Sequence, residues 1–352
     1  MLKSIRRHDI DWLRVITIGL LLIYHVTIVF QPWGVFIGFV QSDASLEALW
    51  IPMSMINIWR IPLLFFVSGM GVCFAIKKRN WMQLILERSK RILLPFVFGV
   101  VCIVPIHVLI WQQYYKQDLV YNLQEGHLWF LKNIFIYVVL LSPLFFYLRK
   151  TENGSIHSGL KKLFKTPLGL LLIIVSFVLE ATLVNPESYE LYAMTLHGFI
   201  LGMIAFLFGF IFIYTGETFW PMTLKWRGLF IALALILFLV RYFIFELKAP
   251  NYYMAAESCF WIFSMFGLAY RYLNHPSDLL TYLSQGAYPI YIVHMIFIYV
   301  GSILILPLHI HVILKFSLLV VFTFAGSFLL YDLVLRKISF LRPLFGLKGQ
   351  KK

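Results

Sequence analysis

Apolar runs of about 20 residues recur from one end of this chain to the other, and few architectures accept that pattern. A helix rises 1.5 Å per residue, so each run is long enough to cross a hydrocarbon core of about 30 Å. The runs predict ten spans: 13–30, 50–76, 92–111, 127–148, 167–184, 196–215, 228–245, 252–273, 285–307 and 312–335. They are continuously apolar and do not alternate with period two, which argues against a closed β-barrel. Of the 352 residues, 61% are hydrophobic and 13% charged. A soluble domain carries about 25% charged residues, so lipid is the expected solvent for most of this chain. The fold class expected is all-α integral membrane, one transmembrane domain over 1–352 with a basic tail at 336–352. The first run continues into polar residues and lacks an A-x-A site, so it reads as a retained helix rather than a signal peptide.

The net charge of +14 raises nucleic acid as a partner, but its distribution argues against one. The basic residues lie between the apolar runs, as the positive-inside rule requires. With both termini in the cytoplasm, 24 of the 30 Lys and Arg fall in inside segments and only Lys116 and Lys248 in outside loops. Lys3, Arg6 and Arg7 open that count, and Lys348, Lys351 and Lys352 close it. The expected location is the cytoplasmic (inner) membrane, crossed many times. Cys73, Cys102 and Cys259 all lie inside apolar runs and form no C-x-x-C pair, so they read as buried thiols.

An ionisable group at the centre of a spanning helix costs about 2.5–3.5 kcal/mol, so each one calls for a partner, a wet cavity or a function. His25, Arg60, Glu180, Arg241, Glu257 and His294 stand in such positions. His25, Glu180, Arg241 and Glu257 each fall four or five residues from the expected outer end of their helices. That predicts a shared polar layer about 6–8 Å deep and an aqueous pocket open to the outside. Pairing of Arg241 with Glu257 or Glu180 is the plainer reading of those three residues. His25 has no acid one turn away in its own span.

Asp11, Arg14 and His25 form the sharpest pattern, D-x-x-R-x(10)-H. Eleven residues at 100° each are close to three full turns, so Arg14 and His25 share one helix face, about 16 Å apart along the axis. Asp11 at i−3 can pair with Arg14. A neutral imidazole can take the proton of a sugar hydroxyl as that hydroxyl attacks a thioester. A guanidinium near the cytoplasm suits donor phosphates. Arg88-x-x-Arg91 is a second cluster of that kind, although positive-inside topology alone also explains it.

Arg14-x(10)-His25 resembles the signature of the acyltransferase-3 family of integral membrane acyltransferases. Further matches follow in order: Arg60 to Gly69 as R-I-P-L-L-F-F-V-S-G, Arg88 to Arg91 followed by Pro95, His127 to Leu131 as H-L-W-F-L, and Tyr288 to His294 as Y-P-I-Y-I-V-H. Within that family the chain looks most like the periplasmic-glucan biosynthesis protein C type, a glucan succinyltransferase. The resemblance implies His25 as catalytic base and an essential Arg14. It also implies acyl-CoA (acetyl-CoA or succinyl-CoA) as donor substrate, with no permanently bound cofactor. The acceptor it implies is an extracytoplasmic glycan; the chain then either acts on that acceptor itself or hands the acyl group to envelope-polymer biosynthesis partners. Many relatives carry Ser where Ala287 stands, so only His294 of that segment is carried over.

The remaining substrate-binding candidates are Arg60, Ser68, Arg88, Arg91, His127, Trp129, Glu180, Arg241, Glu257 and His294. Ser68 lacks the first Gly of G-x-S-x-G, and helix packing is its simpler role. His127 beside Trp129 suggests a sugar platform or an interfacial aromatic belt. No metal motif, G-x-G-x-x-G or Walker loop is present. Two competing readings use the same buried charges. One is a transporter or flippase for a polar solute or lipid-linked sugar, which would more often show an internal repeat. The other is a noncatalytic membrane scaffold.

Overall fold

A computed structural model describes residues 6–349; Lys3, Lys351 and Lys352 of the charge count lie outside them. Among the described residues there is helix, turn and loop but no strand. The long helices are α1 (His8–Val29), α2 (Trp50–Ile76), α3 (Trp81–Tyr114, helical throughout) and α4 (Trp129–Lys150). After a short amphipathic helix, α5 (Ser155–Phe164), come α6 (Pro167–Val184), α7 (Leu196–Tyr214), α8 (Phe219–Phe243) and α9 (Asn251–Tyr272). The last are α10 (Asp278–Ile305), α11 (Val312–Leu330) and the single turn α12 (Leu341–Leu344). Among the described residues nine helical segments are long and apolar enough to cross a membrane. The helix at the remaining expected span, 252–273, is α9, equally long but more polar, carrying Glu257, Ser258, Ser264 and Arg271.

The chain divides into two compact units. The first holds the described residues up to Thr17, Ser54–Glu87 and Asn133–Leu280; the second holds Ile18–Met53, Arg88–Lys132 and the residues from Thr281 onward.

In the first unit, glycines bring α2 and α7 into backbone contact. A Cβ on Gly69 would sit 1.9 Å from the Phe206 carbonyl oxygen, and one on Gly209 would sit 2.0 Å from that of Phe66. The F-F-V-S-G segment is therefore a helix-packing device, since small residues permit such approach. Phe66 stacks on Phe212 there, and Phe212 stacks on Phe219 of α8.

Prolines inside the helices free carbonyls that other residues capture. A proline ring clashes with the carbonyl of residue i−4 and supplies no N–H to it. Pro62 frees the Ile58 carbonyl, which accepts from Tyr192 Oη at 2.7 Å and Ser258 Oγ at 2.8 Å. In α3, Pro95 and Pro105 follow two π-helical turns, Ser89–Leu93 and Gly99–Ile103. The carbonyls they displace belong to Arg91 and Val101. Val101 O accepts from Tyr121 Oη at 2.6 Å, and the Arg91 carbonyl is approached by Gly346 of the tail, in left-handed backbone (φ 72°).

The second π turn also corrects one expectation. Cys73 and Cys259 are buried, but Cys102 is exposed. Gly99 and Ile103 occupy the packed face of that turn, which leaves Cys102 on the outward side. The core of the second unit joins Val26 and Val29 of α1 and Phe30 just after it to Ile298, Tyr299 and Ile305 of α10 and Leu319 of α11, under the loop residues Phe39 and Val40.

Candidate active site

Four imidazoles gather in the second unit. His25 stands on α1 among apolar neighbours, with Leu22 and Val26 fully buried beside it. Its Nδ1 lies 2.8 Å from Nε2 of the fully buried His294, and the two rings are parallel within 5°. His294 Nδ1 donates to its own helix at the Tyr291 carbonyl, 2.7 Å away. His127, in the turn before α4, lies with its ring centroid 5.1 Å from that of His294 and donates from Nε2 to the Ile292 carbonyl at 3.1 Å. Tyr291 Oη donates in return to the His127 carbonyl. Two reciprocal bonds thus clamp this turn to α10. Beyond His127, at 5.6 Å between centroids, lies the buried ring of His107 from α3, which also faces Tyr299. Gly126 has φ 48°, and a Cβ there would sit 3.2 Å from a Val104 methyl, so glycine lets the turn close against α3 without strain or crowding. Among the described residues no group of three or more His, Cys, Asp or Glu is arranged to hold a metal ion.

The buried polar and charged groups of the first unit bind one another. Arg241 grips Glu257 through Nε at 2.7 Å and Nη2 at 3.1 Å; Nη2 also reaches the Ser54 carbonyl, and Nη1 lies 3.5 Å from Glu190. Arg60 Nη2 donates to Asn57 Oδ1 at 3.1 Å. Glu180 binds His197 instead of Arg241, both carboxylate oxygens lying 2.9 Å from His197 Nδ1, while His197 Nε2 donates to the Tyr189 carbonyl. Glu190 stands in the loop between α6 and α7. Burial pushes its carboxyl up to about 7, against the opposing pull of Arg241.

The acyltransferase domain family matches residues 7–332 of this sequence. The chain belongs to the acyltransferase-3 family. It is accordingly a membrane acyltransferase, crossing the bilayer many times. No curated protein and no solved structure matches it. The match takes in every site residue considered, from Arg14 to His294, and ends before the basic tail.

In this acyltransferase-3 chain, Arg14 belongs to the first unit and His25 to the second, on one continuous helix. Arg14 Nη1 pairs with Asp11 at 3.3 Å, and Asp11 also accepts from Arg6 at 2.9 Å. Arg88 and Arg91 do not open a helix: the run starts at Trp81, so they sit inside it, Arg91 within the first π turn. Ser68 Oγ donates back to the Leu64 carbonyl at 2.8 Å, as expected of a hydroxyl on a packed helix. Trp129 opens α4 and is buried, so it is not a free interfacial ring.

Three residues of these clusters are absent from the sequence-derived candidates. His107 lies in the third apolar run, and the rule that marked His25 and His294 would have marked it too. His197 and Glu190 stand at or near a helix end, where a polar residue costs nothing in sequence terms; only the fold shows them packed against Glu180 and Arg241.

Proposed function

We propose that this protein is an O-acyltransferase of the cytoplasmic (inner) membrane. It moves an acetyl or succinyl group from cytoplasmic acyl-CoA to a hydroxyl of an extracytoplasmic glycan, of the kind a glucan succinyltransferase modifies. His25 is the general base. As the glycan oxygen attacks the thioester carbonyl, the imidazole takes its proton; the C–S bond then breaks, and the same proton passes to the departing thiolate. The ester and free CoA thiol are the balanced products. Arg14 is assigned to the donor's phosphates, for which a guanidinium offers paired N–H donors. Arg88 and Arg91 supply a second basic element of the same chemistry. Arg241–Glu257 and Glu180–His197 serve as framework, because each side chain is already bound to its neighbour.

The observation that carries this reading is the hydrogen bond of His25, in a chain of acyltransferase-3 membership, to His294 within a cluster of four imidazoles among apolar helices. The test is transfer by the purified protein in nanodiscs, given radiolabelled acetyl-CoA or succinyl-CoA and a β-glucan oligosaccharide. Labelled glucan and stoichiometric CoA thiol are expected. Passage of an oligosaccharide across proteoliposomes without any covalent product would replace the enzyme with a transporter.

A further inference from the structure

We infer that His294 is a positioning residue for His25: it holds that ring in the Nδ1–H tautomer, so that Nε2 is the nitrogen that takes the proton. The inference rests on the reading of His25 as base and specifies which atom acts and what orients it.

Donors and acceptors fix the tautomer of each ring. The Tyr291 carbonyl carries no proton, so the 2.7 Å contact requires His294 Nδ1 to bear the hydrogen. A neutral imidazole has one N–H, and so His294 presents a lone pair at Nε2. A second proton there would place a charge on a fully buried ring inside an apolar bundle, at high desolvation cost. The nitrogen facing it at 2.8 Å is His25 Nδ1. Two lone pairs at that distance repel, so His25 Nδ1 must carry the hydrogen and donate it. The neutral His25 ring then has its lone pair on Nε2.

The support is stiff. His294 is fixed by its own helix through Tyr291, and the same Tyr291 clamps the turn that carries His127. The other titratable rings around the pair are Tyr24 beside His25, Tyr291 and His127 beside His294, and His107 and Tyr299 beyond. When His25 accepts a proton, its Nδ1–H becomes the donor of a charge-assisted bond to His294, which is stronger than the neutral one. His294 thus favours the protonated base formed as the hydroxyl attacks, the same logic by which a third group orients the histidine of a catalytic triad. Here the orienting group is a neutral imidazole rather than a carboxylate, which avoids a buried negative charge.

The test uses the full chain in nanodiscs with whichever of acetyl-CoA and succinyl-CoA the wild type accepts. His294→Leu removes the acceptor; kcat is expected to fall about 100-fold or more with donor and acceptor KM within about twofold, since general-base assistance of this kind is worth about 10²–10⁴. Its pH–rate profile should have the ascending limb shifted to lower pH, because the protonated His25 has lost a partner. His294→Gln offers an oxygen near the Nε2 position and should recover part of kcat and restore the limb. An unchanged kcat, or a raised KM with kcat preserved, would overturn the inference, the latter making His294 a substrate contact. Should His294→Leu fail to give a monodisperse protein, ¹⁵N-histidine NMR of the wild type decides: a neutral His25 protonated at Nδ1 supports the inference and one protonated at Nε2 refutes it. Full activity in His25→Ala would remove the base itself; loss there with normal His294→Leu would remove only the positioning role.

Discussion

Arg14, Glu190 and the imidazoles show how differently single residues can be read from sequence. Arg14 is half-buried and held by Asp11, with its guanidinium still suited to a bidentate anion. Arg14→Ala should abolish transfer while the protein still folds, and Arg14→Lys should keep a fraction of the rate with a raised donor KM, measured as initial rates against acyl-CoA concentration. Glu190 gives a prediction in pH. Its carboxyl is raised from an ordinary value of 4.5 to about 7, chiefly by burial among Arg241, Glu257, Asn57 and Arg60. The folded state therefore holds this proton more tightly than the unfolded chain does. The stability so gained is complete below about 4.5 and is lost as pH rises through about 7. Thermal midpoints of the detergent-solubilised protein should fall across that window, and Glu190→Gln should flatten the slope. Arg14 and His25 stood out in the sequence because an ionised or polar group in an apolar run is conspicuous. Glu190 did not, since a loop glutamate looks solvated until the fold closes over it.

At the scale of the helix, the length of each apolar run marked nearly every span. Several boundaries agree closely, as in α2 and α6, because an abrupt change to Lys, Asn or Pro ends the run. Internal irregularities were not legible. Pro95 and Pro105 announce a broken hydrogen bond but not that a π turn absorbs it, nor that Tyr121 takes up the freed Val101 carbonyl. Partners far apart in sequence were equally hidden: His25 meets His294 across 269 positions, and spacing alone cannot pair them. The contact of α2 with α7 predicts a strong substitution effect. Gly69→Ala or Gly209→Ala drives a methyl group into a carbonyl oxygen and should cost about 1–3 kcal/mol or more, as core overpacking does. Gly228→Ala, on the open side of α8, meets nothing within 4 Å and is the control; its thermal midpoint should not fall.

For the molecule as a whole, the basic residues between spans predict both termini on the cytoplasmic side. Reporter fusions after Leu347 and after His309 should report cytoplasmic and extracytoplasmic locations respectively; the reverse would invert the assignment of donor and acceptor sides. Acyltransferase-3 membership and an all-helical apolar bundle agree with the expectation from the apolar runs, whereas the division into two compact units was not visible in a sequence with no compositional break. The most direct test of the account compares His25→Ala with wild type at equal amounts of folded protein in nanodiscs, following labelled acyl groups from CoA onto glucan. The account predicts a loss of at least about 100-fold in the transfer rate, the scale of general-base assistance. Transfer at the wild-type rate would contradict it.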